Sequence, residues 1–356
     1  MRMNASVCAG AVAAVLSVVA AAPAQQPKVT NAQVSVRNGA DLQEEIAAVK
    51  TPTWIGYSVP LQHALRTNYD DSVTYLEGNP RHDEIVSEPK AGDSAARGNV
   101  LLRADGGAIQ KVRIEETDRE IDGGGLPFVW LTDVRPGDSV KTIAAAIDAG
   151  VASSAHMPLE SGLLVIALEN APEALPALRG FTVAKYPLNV REKAAFWLAN
   201  ERGREGFDTV SALLKSDKDD AFRAKLVFDL TLVKGGGKKP ATDELLDLAK
   251  NDAAPKVRSQ AQFWLAQMVV RKFEGGLQDS RIAHSLVDSA QNDPNAAMRK
   301  SAVFALSRLP AEQAVPELIQ VASTSKDAAT RREAIFWLGQ SKDPKALEYL
   351  EKVVKE

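Results

Sequence analysis

The tripeptide Phe-Trp-Leu occurs three times in this chain, at residues 196–198, 263–265 and 336–338. Two weaker copies align with these three, and all five share an arginine, a phenylalanine five residues later and a leucine seven residues later. The repeated residues are Arg191, Arg223, Arg258, Arg299 and Arg331; Phe196, Phe228, Phe263, Phe304 and Phe336; and Leu198, Leu230, Leu265, Leu306 and Leu338. The copies stand 32, 35, 41 and 32 residues apart. Such periods indicate an array of structural repeats.

Each copy has the period of a helix. The residue before the arginine, the residue three after it and the leucine fall at i, i+4 and i+8, which is one helical stripe. The phenylalanine falls almost opposite that stripe, so the pattern predicts helices that are buried on two sides. Between the copies, leucines recur at helical spacing and turn-forming residues follow them. One such helix pair cannot bury its own apolar faces, so we predict that the pairs stack into an α-solenoid.

This pattern resembles the HEAT-repeat family, in particular the short bacterial HEAT-like repeats of phycobilisome lyases. The resemblance covers residues 136–356 and implies a mainly α fold of stacked helix pairs. In that family a turn aspartate and an arginine of the second helix form a ladder along the stack. The matching residues here are Asp217, Asp252 and Asp293, each six residues before Arg223, Arg258 and Arg299. Lys185 and Ser325 take the aspartate's place in the first and last copies. The resemblance therefore implies a structural ladder that is confined to the middle of the array.

Residues 25–130 follow a different pattern. Short runs that are rich in β-branched residues or alternate in polarity are separated by Gly, Asn, Asp and Pro, which is typical of strands and turns. We expect a loop at 117–125, and we expect 126–150 to enter the first helical pair, with a helix from about Pro136 to Ala149. The predicted organisation is a small β-rich or α+β domain at 25–130 and a HEAT-like solenoid at 131–356.

The first 24 residues have the features of a secretory signal peptide. Arg2 is followed by an apolar run, and Ala22-Pro23-Ala24 forms a small-residue cleavage site. An uncleaved anchor is the alternative, but the run is short for a membrane span of about 20 residues. We expect an exported protein, periplasmic or secreted, that begins near Gln25 and has no stable membrane span after cleavage. The single cysteine, Cys8, lies in this segment. The mature chain would therefore have no disulfide and no cysteine nucleophile.

The sequence contains no recognisable catalytic, phosphate-binding or calcium-binding motif. The glycine triplets at 123–125 and 235–237 lack the lysine of a phosphate loop, so we interpret them as flexible loops. His82, Asp83 and Glu84 carry donor groups that suit a metal ion. Neighbours on an extended chain point to opposite faces, however, which favours a solvated loop. We predict neither a metal site nor a cofactor.

The tryptophans are the candidate partner-binding residues. The position six after the arginine holds Trp197, Trp264 and Trp337, but Asp229 and Ala305 in the other two copies. A position that accepts these residues is not a size-constrained core site in every repeat. The indoles either fill grooves between neighbouring helices, which we favour, or form a spaced aromatic row. Helices packed at 8–10 Å would place indoles of alternate repeats about 20 Å apart, which suits an extended peptide or glycan better than a small ligand.

These features favour a secreted, non-catalytic scaffold that binds a protein or an extended peptide, with a glycan as the less favoured ligand. The net charge is −3 and no basic block is present, so the electrostatic footprint of a nucleic-acid-binding protein is missing. Two enzymatic alternatives stay open. One is a lyase-like role, which the resemblance to phycobilisome lyases implies. The other is a hydrolase that uses His82 or Asp83 of the N-terminal domain.

Overall fold

A computed structural model describes residues 26–67, 73–78, 85–87, 96–153, 159–233, 238–270 and 279–355. The predicted signal peptide, the His82 to Glu84 cluster and the glycine triplet at 235–237 lie outside these residues. Within the described part, the strands and one short helix lie between residues 29 and 132, and the remaining elements, from residue 136 onward, are helices. The predicted fold class, a β-rich N-terminal region followed by an α-solenoid, is confirmed.

The described strands form three sheets. A five-stranded sheet has the order β2-β10-β3-β7-β8, a parallel three-stranded sheet has the order β1-β9-β5, and β4 pairs with β6. The strands are β1 Val29–Thr30, β2 Gln33–Asn38, β3 Thr53–Pro60, β4 Leu65–Thr67, β5 Val73–Tyr75, β6 Ile85–Ser87, β7 Arg97–Asp105, β8 Ala108–Glu116, β9 Glu120–Asp122 and β10 Pro127–Thr132.

The helices are arranged in two rows. Counting along the chain, even-numbered helices from α2 onward form the first row, and odd-numbered helices from α3 onward form the second row. Consecutive helices of the second row pack against one another from α3 to α13. The helices are α1 Leu42–Ala47, α2 Pro136–Ser153, α3 Leu159–Leu168, α4 Ala174–Phe181, α5 Leu188–Glu201, α6 Gly203–Ser216, α7 Asp220–Asp229, α8 Lys238–Asn251, α9 Pro255–Val270, α10 Ser280–Asn292, α11 Ala296–Ser307, α12 Ala311–Thr324, α13 Ala328–Gln340 and α14 Pro344–Lys355.

Strand β10 lies inside the five-stranded sheet, parallel to both β2 and β3. The predicted helix from about Pro136 to Ala149 is present as α2, but the residues before it form strand β10, and the expected loop at 117–125 contains strand β9. Phe128 and Trp130 pack on one face of the sheet, and Val129 and Leu131 pack on the other. A strand that is buried on both faces has a continuous apolar sequence without alternation, so its periodicity does not distinguish it from a buried helix.

The aromatic face of this sheet depends on Gly56 of β3. A Cβ atom at this position would lie 2.8 Å from the Phe128 ring and 3.0 Å from the Trp130 ring. A side chain would therefore displace the two rings from the core they share with Trp54. The glycine allows large rings to cover the middle of the sheet.

The β-rich part and the first helices share one hydrophobic core. Its members include residues of β3, β7 and β8 together with residues of α2 to α5. Inside it, the Tyr57 hydroxyl and Ser139 Oγ share a hydrogen bond of 2.8 Å, and Ser139 Oγ donates to Glu169 Oε1 at 2.6 Å. Burial raises the pKa of the Glu169 carboxyl to about 8, although the Ser139 hydrogen bond lowers it. The solenoid is therefore anchored on the sheet through a buried polar chain.

Candidate functional site: an aromatic row on the solenoid

The stripe predicted from the sequence is the buried face of the second-row helices. The leucine and the residue three after the arginine are buried in all five repeats. The repeated phenylalanines are not core residues, and the prediction of burial on two sides was wrong. Phe196, Phe228 and Phe263 are half-buried, Phe304 is 36% exposed and Phe336 is 54% exposed. The second-row helices from α7 to α13 pack on the first row and on each other, and no described layer covers their remaining side.

The tryptophans connect these phenylalanines across repeats. The Trp264 ring lies 4.6 Å from the Phe228 ring of the preceding second-row helix, and the Trp337 ring lies 5.5 Å from the Phe304 ring. Each tryptophan also makes an edge contact with the phenylalanine beside it in the sequence, as Trp197 does with Phe196 at 4.8 Å. All three indoles are half-buried. They fill the grooves between neighbouring helices and also form part of the surface.

We call this surface the aromatic row. It consists of the five repeated phenylalanines and the three tryptophans on α5, α7, α9, α11 and α13, and its members are Phe196, Trp197, Phe228, Phe263, Trp264, Phe304, Phe336 and Trp337. The ring contacts divide it into three clusters. Asp229 and Ala305 occupy the tryptophan position in the two other repeats, and both are buried. The row is therefore interrupted once by a carboxyl group and once by a methyl group.

Polar side chains border the aromatic row. An amide stands three residues after each tryptophan, at Asn200, Gln267 and Gln340, and all three are half-buried or exposed. Glu333 accepts a hydrogen bond from the Trp337 indole at 3.1 Å and lies 3.5 Å from the Lys300 ammonium group. Hydrogen-bonding groups therefore flank the rings, as in surfaces that bind polypeptides.

An arginine–aspartate ladder lies beneath the turns of the solenoid. Arg191, Arg223 and Arg258 form ion pairs with Asp217, Asp252 and Asp293, respectively, each across to the next helix pair. Arg258 makes two bonds to Asp293, from Nε to Oδ2 at 2.8 Å and from Nη2 to Oδ1 at 3.0 Å. The guanidinium groups of these three arginines are mostly buried. Because each bond connects consecutive pairs, the ladder stabilises the stacking of the array.

Each ladder aspartate also organises its own turn. Asp252 Oδ1 accepts from the backbone of Ala254 at 2.9 Å, and Asp293 Oδ1 accepts from Asn295 at 2.8 Å. In two of the repeats the arginine of the same pair also binds the aspartate's backbone carbonyl: Arg258 Nη1 donates to Asp252 O at 2.8 Å, and Arg299 Nη1 donates to Asp293 O at 2.9 Å. Each aspartate carboxylate thus accepts a hydrogen bond from the backbone of its own turn and forms an ion pair with the arginine of the preceding helix pair.

Two expectations about the ladder need correction. The sequence suggested that Asp252 is the carboxylate partner of Arg258, but that carboxylate binds Arg223. The ladder is also longer than predicted. It begins at Arg191, and Arg299 pairs at 3.3 Å with Asp327, two residues beyond Ser325. Sequence spacing within one repeat does not show this connection, because the bond joins residues that are 26 to 35 positions apart.

The remaining sequence candidates lie apart from the row. His63 belongs to the β-rich part, and the described residues contain no group of three or more His, Cys, Asp or Glu side chains placed to hold a metal ion. The glycine triplet at 123–125 forms an ordered turn, in which Gly123 and Gly125 donate to Thr30 and Asn31 at 2.9 and 2.7 Å. None of the described helices is both long enough and apolar enough to cross a membrane.

Residues 283–356 match a profile of HEAT repeats. This part of the chain is a HEAT-repeat region. No curated protein matches the sequence. Among solved structures, the chain is similar to the complex of CpcE and CpcF of phycocyanin lyase from Nostoc sp. PCC7120, at 22% identity over 48% of this chain and 100% of that chain, with a TM-score of 0.35. It is also similar to a designed armadillo repeat protein in complex with the peptide (KR)4, at 16% identity over 60% and 91% of the two chains, with a TM-score of 0.28. The HEAT-repeat prediction is confirmed, and the likeness to the lyase is one of fold.

The surface position of the phenylalanines is the feature that the sequence reasoning missed. A signal for it was present in the residues around them. Positions one and two after the arginine, which adjoin the phenylalanine on the helix surface, hold Glu192 and Lys193 in one repeat and Arg332 and Glu333 in another. Charged residues on both sides of an apolar position indicate a solvent-facing side of the helix.

Proposed function

We propose that this protein is a non-catalytic repeat protein that binds an extended peptide, or an extended segment of another protein, along the aromatic row. The observation that supports this most is the exposure of Phe304 and Phe336, which repeat as regularly as the buried leucines. Exposed aromatic rings in one register contribute little to the core of the solenoid. Clustered exposed apolar side chains mark interaction sites, and aromatic residues supply much of the binding energy at interfaces.

The dimensions of the row suit an extended chain. Five helices packed at 8–10 Å give a row of about 32–40 Å. An extended strand advances about 3.3 Å per residue, so the row would accommodate about 10–12 residues. The flanking amides at Asn200, Gln267 and Gln340 could bond to the backbone of such a peptide, because an amide side chain both donates and accepts.

The surface is also ordered before a partner binds. The rings of Trp264 and Trp337 pack on the preceding repeat, and the ladder connects the turns beneath them. A binding surface that is already ordered loses little conformational entropy on association. This property favours a binding role for the scaffold.

We further propose that the protein acts after export, in the periplasm or outside the cell. The positive, apolar and small-residue segments of the first 24 residues support this proposal. The lyase-like and hydrolase alternatives stay predictions, and the hydrolase alternative depends on His82 and Asp83, which lie outside the described residues.

The binding proposal is tested by mutating Phe336, the exposed phenylalanine at the C-terminal end of the aromatic row. Random dodecapeptides displayed on phage are selected on the immobilised full chain, and the enriched peptides are synthesised and titrated by fluorescence anisotropy. Phe336→Ala should weaken their binding by about tenfold or more, as expected for an aromatic anchor. Leu347→Ala is the matched control, because Leu347 is also exposed, at 61%, but lies on the first-row helix α14. Equal affinities of the wild type and Phe336→Ala, or no enriched peptide, would contradict the proposal.

A further inference from the structure

Asp229 is an unusual residue within the aromatic row. It occupies the position that holds tryptophan on α5, α9 and α13, and it is 5% exposed. Its carboxylate makes no hydrogen bond or ion pair with any described residue. Its oxygens are not fully enclosed, so they remain accessible from the surface. The row thus contains a carboxyl group that is nearly buried and has no bonding partner within the described chain.

The repeat register shows what this carboxyl group faces. Where tryptophan occupies the position, its ring contacts the phenylalanine of the preceding second-row helix, as Trp264 contacts Phe228. Asp229 holds the equivalent position on α7, which packs against α5, so the repeat register places it on the side of Phe196. Burial raises the pKa of the Asp229 carboxyl well above its usual range, and the nearby Glu192 of α5 raises it further. The carboxyl group therefore lies between two aromatic clusters and close to a second acid.

A positively charged group would stabilise the nearly buried Asp229 carboxylate. A carboxylate that is removed from water without a partner is unfavourable, and it gains most from a positively charged group that can reach it. Lys225, one turn earlier on α7, lowers the pKa of Asp229, but its side chain is exposed and does not come within ion-pair distance. Lys225 therefore leaves the Asp229 carboxylate without an ion pair.

We propose that Asp229 and Glu192, flanked by the rings of Phe196 and Phe228, form a subsite for a lysine or arginine side chain of the bound peptide. This inference rests on the proposed function of the row. The aliphatic stem of a lysine or arginine would pack along the rings, and its charged end would reach the carboxylates. Cations also bind favourably over aromatic faces. The partner is therefore a peptide with a basic residue among apolar ones.

The test uses the dodecapeptides selected on the immobilised full chain. The enriched sequences should share a lysine or arginine between apolar residues. Replacing that residue by norleucine in the synthetic peptide should weaken binding to the wild type by about tenfold, the usual size of one charge-assisted bond. The same replacement should change binding to Asp229→Asn by less than about twofold. Glu348→Gln, which makes an equal charge change at an exposed position on α14, should behave like the wild type.

The outcomes separate this inference from the proposed function. Enriched peptides without a basic residue, or equal sensitivity of Asp229→Asn and the wild type to norleucine, would overturn the subsite. If Phe336→Ala still weakened those peptides, the function of the row would stand. If Phe336→Ala bound every selected peptide as well as the wild type does, both would fail. Should Asp229→Asn not fold, Glu192→Gln, at a half-buried position, provides the test, with an expected reduction of the norleucine effect to about threefold.

Discussion

The pairing of Arg258 with Asp293 gives a sharp test of how the solenoid is held together. The two side chains are 9% and 5% exposed and share two short bonds, and Arg258 also donates to the backbone of Asp252. Removing one member of a buried pair leaves the other charge without compensation, which typically costs about 3–5 kcal/mol. We therefore expect Arg258→Ala to lower the free energy of unfolding by about 3 kcal/mol or more.

A double-mutant cycle identifies the partner. Asp293→Asn removes the charge but keeps an acceptor for the turn amide of Asn295. Its coupling energy with Arg258→Ala should be about 2 kcal/mol, because the two changes remove the same interaction. Asp252→Asn is the matched control in the preceding turn, since the Asp252 carboxylate binds Arg223. Its coupling energy with Arg258→Ala should stay below about 0.5 kcal/mol.

The measurement is urea denaturation followed both by far-UV circular dichroism and by tryptophan fluorescence. Agreement of the two signals establishes that one transition is being compared, because repeat proteins can unfold in steps. A larger coupling of Arg258 with Asp252 than with Asp293 would refute the inter-repeat ladder. A loss of less than about 1 kcal/mol for Arg258→Ala would show that the buried pair does not stabilise the stack.

Four further predictions concern the row, the buried polar chain and export. Phe336→Ala should lower the free energy of unfolding by less than about 1 kcal/mol, whereas Leu338→Ala should lower it by about 2–5 kcal/mol. Equal losses in urea denaturation would show that Phe336 is a core residue. Trp264→Ala should cost about 2 kcal/mol, because it removes the contact with the preceding repeat, and an unchanged melting temperature would exclude groove filling. The folded-state pKa of Glu169 is about 8 and its usual value is 4.5. Stability should therefore fall as pH rises between these values, by up to about 1.4 kcal/mol per pH unit, and Glu169→Gln should remove this dependence; an equal slope in both proteins would contradict it. Mass spectrometry of the protein recovered from producing cells should find an N-terminus near Gln25, and an intact N-terminus in the membrane fraction would exclude cleavage.

The sequence alone was enough to predict the helix pairs, their stacking and the buried stripe. These features follow from the helical period and from its recurrence in five registers, which a single chain displays directly. The strand β10 was missed because a strand that is covered on both faces has no alternation. The ladder arginines and aspartates were recognised as residues, but their partners were not, since each pair joins two different repeats.

Only the tertiary structure decided which side of each helix meets solvent. The period of a helix shows that the phenylalanines share a face, and burial of that face depends on whether a further layer of structure covers it. In this chain the second-row helices pack against the first row and against each other, so the leucines are enclosed and Phe304 and Phe336 remain at the surface. The surroundings of Asp229 likewise depend on contacts between α5, α7 and α9, whose equivalent positions are 32 and 35 residues apart in sequence. Packing between distant segments therefore turned a repeat of apolar residues into a core on one side and a surface on the other.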